Sequence, residues 1–227
     1  LVYYVILLRE SDNPYYALAT GMGLGLAVLT KPTGYVYAFP FMAWISLSLV
    51  KSRRTRGLLQ IILIVSTAIV INLGHYTRNY SLFGSPLGPS HEGDYKYSND
   101  IFTFSSTTSN VIRNIGLHIG TPFDNVNSFL EKGISRVHTI IGLKINDART
   151  TWPGTKFHVV HPALHEDSAG NPLHLILIAI SIPMLMVQQR PKKDTFYYFV
   201  CLVFAFILFC LSIRWQPWHS RLHLPFF

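Results

Sequence analysis

The sequence predicts an all-α polytopic membrane protein with a mixed, partly helical segment outside the bilayer, and three observations carry that fold class. Hydrophobic residues fill 49% of the 227 positions and charged residues only 13%, with a mean hydropathy of +0.30, so charges are too few to cover a soluble globule. Apolar runs recur near the roughly 17 to 25 residues that a membrane helix needs. Lys and Arg crowd two short connectors between such runs, Lys51 to Arg56 and Arg190 to Lys193.

Taken in order, the apolar runs are Leu1 to Leu8, Tyr15 to Thr30, Thr33 to Val50, Leu58 to Gly74, Pro172 to Gln188 and Phe196 to Ile213. The stretch from Tyr15 to Val50 is too long for one helix. It breaks at Lys31-Pro32, because proline cannot donate within a helix and disfavours helix in the residue before it. The GMGLGLAVLTKPTG stretch around that break is no P-loop. In a phosphate loop a glycine stands directly before the lysine and Ser or Thr directly after it, and here Thr30 and Pro32 hold those places. Glycines at alternate positions suit close helix packing instead. The division expected is transmembrane helices over residues 1–74, an extracytoplasmic segment over 75–171, and two further helices with an outer tail over 172–227.

The formal charge of +8 is first a topology signal. Short loops rich in Lys and Arg stay on the cytoplasmic side. The long segment from His75 to Asn171 carries eight Lys/Arg against eight Asp/Glu and so lacks that bias. The expected placement is a multi-pass protein of the cytoplasmic (inner) membrane with 75–171 outside. KSRRTR reads as a solvated connector rather than a basic surface with aromatic platforms, so nucleic acid is not an expected partner, and membrane lipids are. The chain starts without Met inside an apolar run and stops at LHLPFF; a fragment is expected, with no readable signal peptide.

A segment of this length outside the membrane should fold, since unstructured connections beyond ~15 residues are uncommon. Leu130, Ile134, Val137 and Ile141 recur at helical spacing, which predicts an amphipathic helix over Asn127 to Lys144, lying on the bilayer surface or covering the spans. A second, weaker helix covers Val111 to Ile119. Gly84 to Thr108 and Asp147 to Gly154 read as loops. Cys201 and Cys210, nine apart in the last apolar run, suggest packing rather than a disulfide or a metal site.

Polar groups that can carry chemistry gather where the predicted topology has its outer face. They are Lys31 at the helix break, Arg78 and Asn79 after the fourth run, His165, Glu166 and Asp167 before the fifth, and Arg214 and Arg221 around WQPWHSRLHLP. Lys and Arg there can hold a phosphate, Arg as a planar fork and Lys as a point charge, or can simply snorkel to headgroups. The outer segment also holds seven histidines. In HPALHEDSAGN, the residues His161, His165, Glu166 and Asp167 admit three readings: helix capping and packing, a divalent cation, or acceptor recognition. No metal site is assigned. Asn79-Tyr80-Ser81 fits a glycosylation sequon at the membrane edge.

The glycine-rich run ending in LTKPTG, the run leading into TRNYSLFGSPLG and the closing SRLHLPFF resemble the later part of the integral-membrane GT-C glycosyltransferases. The bacterial branch related to protein O-mannosyltransferases and the lipid A aminoarabinose transferase is the most similar, and GLKINDARTTWPG and HEDSAGNPLH also look like segments of that group. The resemblance implies a GT-C-like transmembrane bundle that moves a sugar from a polyprenyl-phosphate donor to a lipid, glycan or protein acceptor. It implies donor-phosphate contacts at Lys31, Arg78 and Arg221, and a catalytic carboxylate in a first outer loop, expected upstream of Leu1, so that the 227 residues alone are expected to be inactive. Two other classes stay open: a secondary transporter, which places ionisable residues near the midplane, and a lipid-linked polysaccharide polymerase or ligase.

Overall fold

The computed structural model of the chain describes residues 1–89, 91–93, 95–165, 167–187 and 193–226. Its elements are α1 (Val2–Glu10), α2 (Pro14–Thr30), α3 (Thr33–Arg53), α4 (Thr55–Phe83), β1 (His91–Glu92), β2 (Tyr95–Lys96), α5 (Phe104–Gly116), α6 (Asp124–Ile140), α7 (Pro172–Val187) and α8 (Lys193–Ser212). The chain forms two compact units, Leu1–Pro89 with Lys192–Ala205, and Ser90–Pro191 with Phe206–Phe227.

Helices form at all six apolar runs. Three are long and apolar enough to cross a membrane: α3, α4 and α8. The other three are shorter, with nine residues in α1, 17 in α2 and 16 in α7.

In the first unit, Asn13 caps α2 by accepting from the Tyr15 N–H at 3.0 Å, with Pro14 at the first helical position. Helix α2 ends at Lys31, where the backbone turns extended before Pro32. The glycines let α2 and α4 approach backbone to backbone. A Cβ on Gly21 would lie 2.7 Å from the Ile64 carbonyl oxygen, and one on Gly25 3.2 Å from the Ala68 Cα. The Asn72 amide donates to the carbonyls of Gly25 and Ala68, both at 2.9 Å, and locks the pair. Val5, Leu8, Ala17, Ile45, Leu49 and Ile64 form the core beneath. Gly21→Ala is expected to destabilise this unit by about 1–3 kcal/mol through overpacking against fixed backbone. Thermal unfolding in detergent tests it; an unchanged midpoint would show that the helices part without cost.

Two expectations change here. Lys51 to Arg56 is not a loop: Lys51 and Arg53 close α3, Thr55 and Arg56 open α4, and the turn is Arg54 alone, at φ 45. Gly57 permits so tight a reversal, because a Cβ there would meet the Leu49 carbonyl at 2.3 Å. Helix α4 also continues nine residues past Gly74, so His75, Arg78 and Asn79 belong to the helix instead of following it. A single helical glycine costs only ~1 kcal/mol, and the true stop is Gly84, left-handed at φ 67.

In the second unit, Leu117, Phe157, Val159 and Trp215 make the core, with Ile119, Leu130, Ile134 and Ile145 against it. Irregular strands knit it together: Trp215 N–H donates to the Thr150 carbonyl at 2.8 Å, and Arg214 N–H to that of Tyr97 at 3.0 Å. The residues after Arg214, expected as an outer tail, therefore build the middle of the unit. Helix α5 starts at Phe104, inside the stretch expected to be loop. Thr103 and Ser106 cap each other's backbone N–H groups, and the sequence hides this because Ser replaces the usual Glu or Gln. Helix α6 spans 124–140 where 127–144 was expected, and left-handed Gly142 follows its end. The connector over 147–154 holds turns, as expected.

Candidate functional site

Helices α2 and α4 run side by side in the same direction, since Gly21 faces Ile64 while Gly25 faces Ala68 and Ile71. At 1.5 Å per residue, Lys31 lies about 9 Å beyond Gly25 and Arg78 about 10 Å beyond Ile71, so both come to the same end of the unit. The Tyr35 and Tyr76 hydroxyls meet there at 2.6 Å and tie the start of α3 to α4 two residues before Arg78. Lys31 and Arg78 are both exposed. Beside them, Asn79 is buried, donating to His75 Nε2 at 3.0 Å and to the Pro86 carbonyl at 3.2 Å. Its amide is thus engaged within the fold, which removes the sequon reading.

The opposite end of the same unit gathers a different set. Arg9 pairs with Asp194 and donates to Ser48, while Arg53 donates to Gln60 at 3.1 Å and lies 3.5 Å from Asp12. From Gln60 to Arg78 the helix rises about 27 Å, close to the ~30 Å of a bilayer's hydrocarbon.

In the second unit Arg221 forms an ion pair with Asp167, and Ser220 Oγ donates to the Asp167 carbonyl at 3.3 Å. Asp167 therefore holds the chain turn carrying Arg221 and caps no helix; Asn171 stands before α7 instead, accepting from the His174 ring at 2.7 Å. His161 bonds the Thr121 carbonyl at 3.1 Å and the Asp124 carboxylate at 2.9 Å. His165 Nδ1 accepts from the Asp167 N–H at 3.3 Å. Glu166 lies outside the described residues, as do Arg190 and Lys192 of the second basic connector. Among the described residues no group of three or more His, Cys, Asp or Glu could hold a metal ion, so the divalent-cation reading has no site among them.

A buried polar network escaped the sequence reading. Helix α5 turns Ser106, Ser109, Asn110, Arg113 and Asn114 inward, at helical spacing. Arg113 is fully buried over the Trp215 ring and donates to Ile145 O at 2.9 Å, Thr151 Oγ1 at 2.6 Å, Thr150 O at 3.2 Å and Thr150 Oγ1 at 3.0 Å, and also to Asn110 Oδ1. Burial lowers its guanidinium to about 9, opposed by the Asp147 charge. The Asn99 and Asn110 amides both donate to the Cys210 carbonyl. Ser109 Oγ lies 2.9 Å from His138 Nε2, a nucleophile–base spacing, but His138 Nδ1 bonds the Ile134 carbonyl and both groups are buried. The pair ties α5 to α6; a base oriented for catalysis needs an accessible nucleophile. Arg214 is likewise structural, buried against Asp100 and the Ser98 carbonyl.

Three imidazoles in this network are held neutral. Asn171 N–H donates to His118 Nδ1 at 3.0 Å, which puts the His118 proton on Nε2, 2.8 Å from His223 Nδ1. Burial pushes His118 down to about 4 and holds His223 well below its ordinary value; His138 is lowered too, again chiefly by burial. Once unfolded, each binds a proton more readily, so the stability they allow is complete above about pH 6.5 and is lost as the pH falls toward 4. His118 alone makes that loss about 3 kcal/mol. Thermal unfolding of the purified chain followed from neutral to mildly acid pH checks this; a midpoint flat across that range would mean the imidazoles charge without opening the fold.

No family model matches the chain, and the curated proteins and solved structures returned no match either.

Proposed function

We propose that the chain belongs to a polytopic membrane glycosyltransferase that moves a sugar from a polyprenyl-phosphate donor to a lipid, glycan or protein acceptor at the extracytoplasmic face of the cytoplasmic membrane. The observation that carries this reading is the placement of Lys31 and Arg78 at the same end of the α2–α4 pair, about a bilayer's thickness from the Arg9, Asp12 and Arg53 cluster. Cations at that level suit a lipid-linked phosphate, whose charge grows as the sugar departs. The LTKPTG and TRNYSLFGSPLG likeness points to the same donor. Arg221 belongs to the second unit and pairs there with Asp167, so its assignment rests on the SRLHLPFF likeness alone. The proposed bundle uses α3, α4 and α8 as full spans with α2 and α7 as shorter ones.

A transporter fits less well. Within α3, α4 and α8 every Asp, Glu, Lys and Arg lies near a helix end, and the central turns carry none.

Membranes containing the full-length protein, given a radiolabelled polyprenyl-phosphate sugar, should transfer label to an endogenous acceptor beyond the level of control membranes; hydrolysis or inertness of the full-length protein would remove the reading. In intact cells, a membrane-impermeant maleimide should label Ser128→Cys and spare Ser52→Cys, both being exposed positions. The opposite pattern would invert the topology and place Lys31 and Arg78 on the wrong face for this reaction.

A further inference from the structure

We propose that α6 is an interfacial helix that lies on the anionic lipid surface, with an apolar stripe sunk between headgroups and two cations on their phosphates. At 100° per residue, Val126, Phe129, Val137 and Ile140 fall within about 80° of one another on α6, and Phe123 enters the helix just beside them. This stripe faces outward: Phe129 is 75% exposed, Ile140 83% and Phe123 66%. It adjoins the face that Leu130 and Ile134 pack against the core, Leu130 falling about 20° past Val137, so one helix carries a packed apolar edge and an exposed apolar stripe side by side. So large an apolar surface at regular spacing marks an interaction site rather than chance exposure.

Charge identifies the occupant. Lys132 and Arg136 border one edge of the stripe, both exposed, and neither has an acidic partner among the described residues. The acids of the helix lie on the other side, where Asp124 meets His161 and Glu131 meets His158. An apolar wedge edged by unpaired cations, with its carboxylates turned away, matches an anionic headgroup layer; a protein partner would call for acids to meet the cations. Long Lys and Arg stems reach from the wedge to the phosphate level by snorkelling. The membrane helices of the same chain keep α6 near a bilayer, so its contact needs little affinity of its own. This inference is independent of the transferase reading.

The full chain is reconstituted in vesicles of phosphatidylglycerol and phosphatidylethanolamine, with a nitroxide label at Phe129→Cys or Ser135→Cys and the unsubstituted chain, whose Cys201 and Cys210 are buried, as background. The label at 129 should be relaxed by oxygen and shielded from a water-soluble nickel chelate, and the label at 135 should show the reverse. Lys132→Gln with Arg136→Gln, or vesicles of phosphatidylcholine alone, should shift the label at 129 toward the nickel chelate. Shielding at 129 from both reagents would show a protein cover, either a second copy or this chain's own helices, and overturn the proposal. Free access of nickel at 129 would overturn it as well, and an unchanged reading in the charge variant would overturn the assignment to anionic lipid.

Discussion

Lys31→Ala and Arg78→Ala should each lower transfer from a polyprenyl-phosphate sugar by roughly tenfold to more than a hundredfold, with insertion and abundance unchanged. In the proposed donor-binding role each would remove a charge-assisted contact of ~1.5–3 kcal/mol, and about 1.4 kcal/mol is a factor of ten in rate. Both side chains are exposed at the end of the first unit, so their loss leaves the Gly21, Gly25 and Asn72 packing intact. Arg78→Lys should recover only part of the activity, because a point charge cannot reproduce a planar fork of donors. The measurement is initial transfer rate at saturating and limiting donor. Near-normal rates in both alanine variants would return the two cations to headgroup snorkelling and leave the transferase reading without its clamp.

Arg113→Met should destabilise the second unit by about 3–5 kcal/mol, which is a large share of the ~5–15 kcal/mol that holds a typical domain together. The fully buried guanidinium satisfies the Ile145 and Thr150 carbonyls, the Thr150 and Thr151 hydroxyls and the Asn110 amide oxygen. Methionine fills much of the volume but strands those acceptors, and each stranded group costs about 1–3 kcal/mol when water cannot replace its partner. Arg113→Lys should also fall short, since one ammonium cannot reach acceptors arranged around a fork. Unfolding in detergent and protease sensitivity of residues 95–165 report the effect. A wild-type midpoint for Arg113→Met would mean that the apolar contacts of Phe157 and Trp215 hold the unit by themselves.

The sequence located helices well and read their environment less well. The Lys31-Pro32 break came through because proline acts on its own backbone and its neighbour's, whatever surrounds it. The ends of α4 and α5 did not, because they hang on Gly84 adopting a left-handed turn and on Ser106 reciprocating Thr103, choices that the local sequence permits without demanding. The inward stripe of α5 was visible as Ser, Asn and Arg recurring at helical spacing, yet polar periodicity usually means a solvated face. Only partners distant in sequence reverse that meaning: Thr150, Thr151 and Trp215 for Arg113, and the Cys210 carbonyl, 100 residues on, for Asn110.

Composition, hydropathy and the prolines by themselves determined that this is a helical chain with stretches long and apolar enough to cross a membrane and charges near their ends, because those properties follow from solvent preference and from backbone stereochemistry residue by residue. Tertiary structure alone decided what each polar residue does. It set Lys31 level with Arg78 through glycine packing between α2 and α4, gave Asp167 to Arg221, turned His161 toward Asp124, and buried His118 against His223. A histidine or an arginine has the same character in every sequence. Its charge state and its availability depend on desolvation and on which donors and acceptors the fold brings within about 3 Å, and the order of residues along the chain does not fix these.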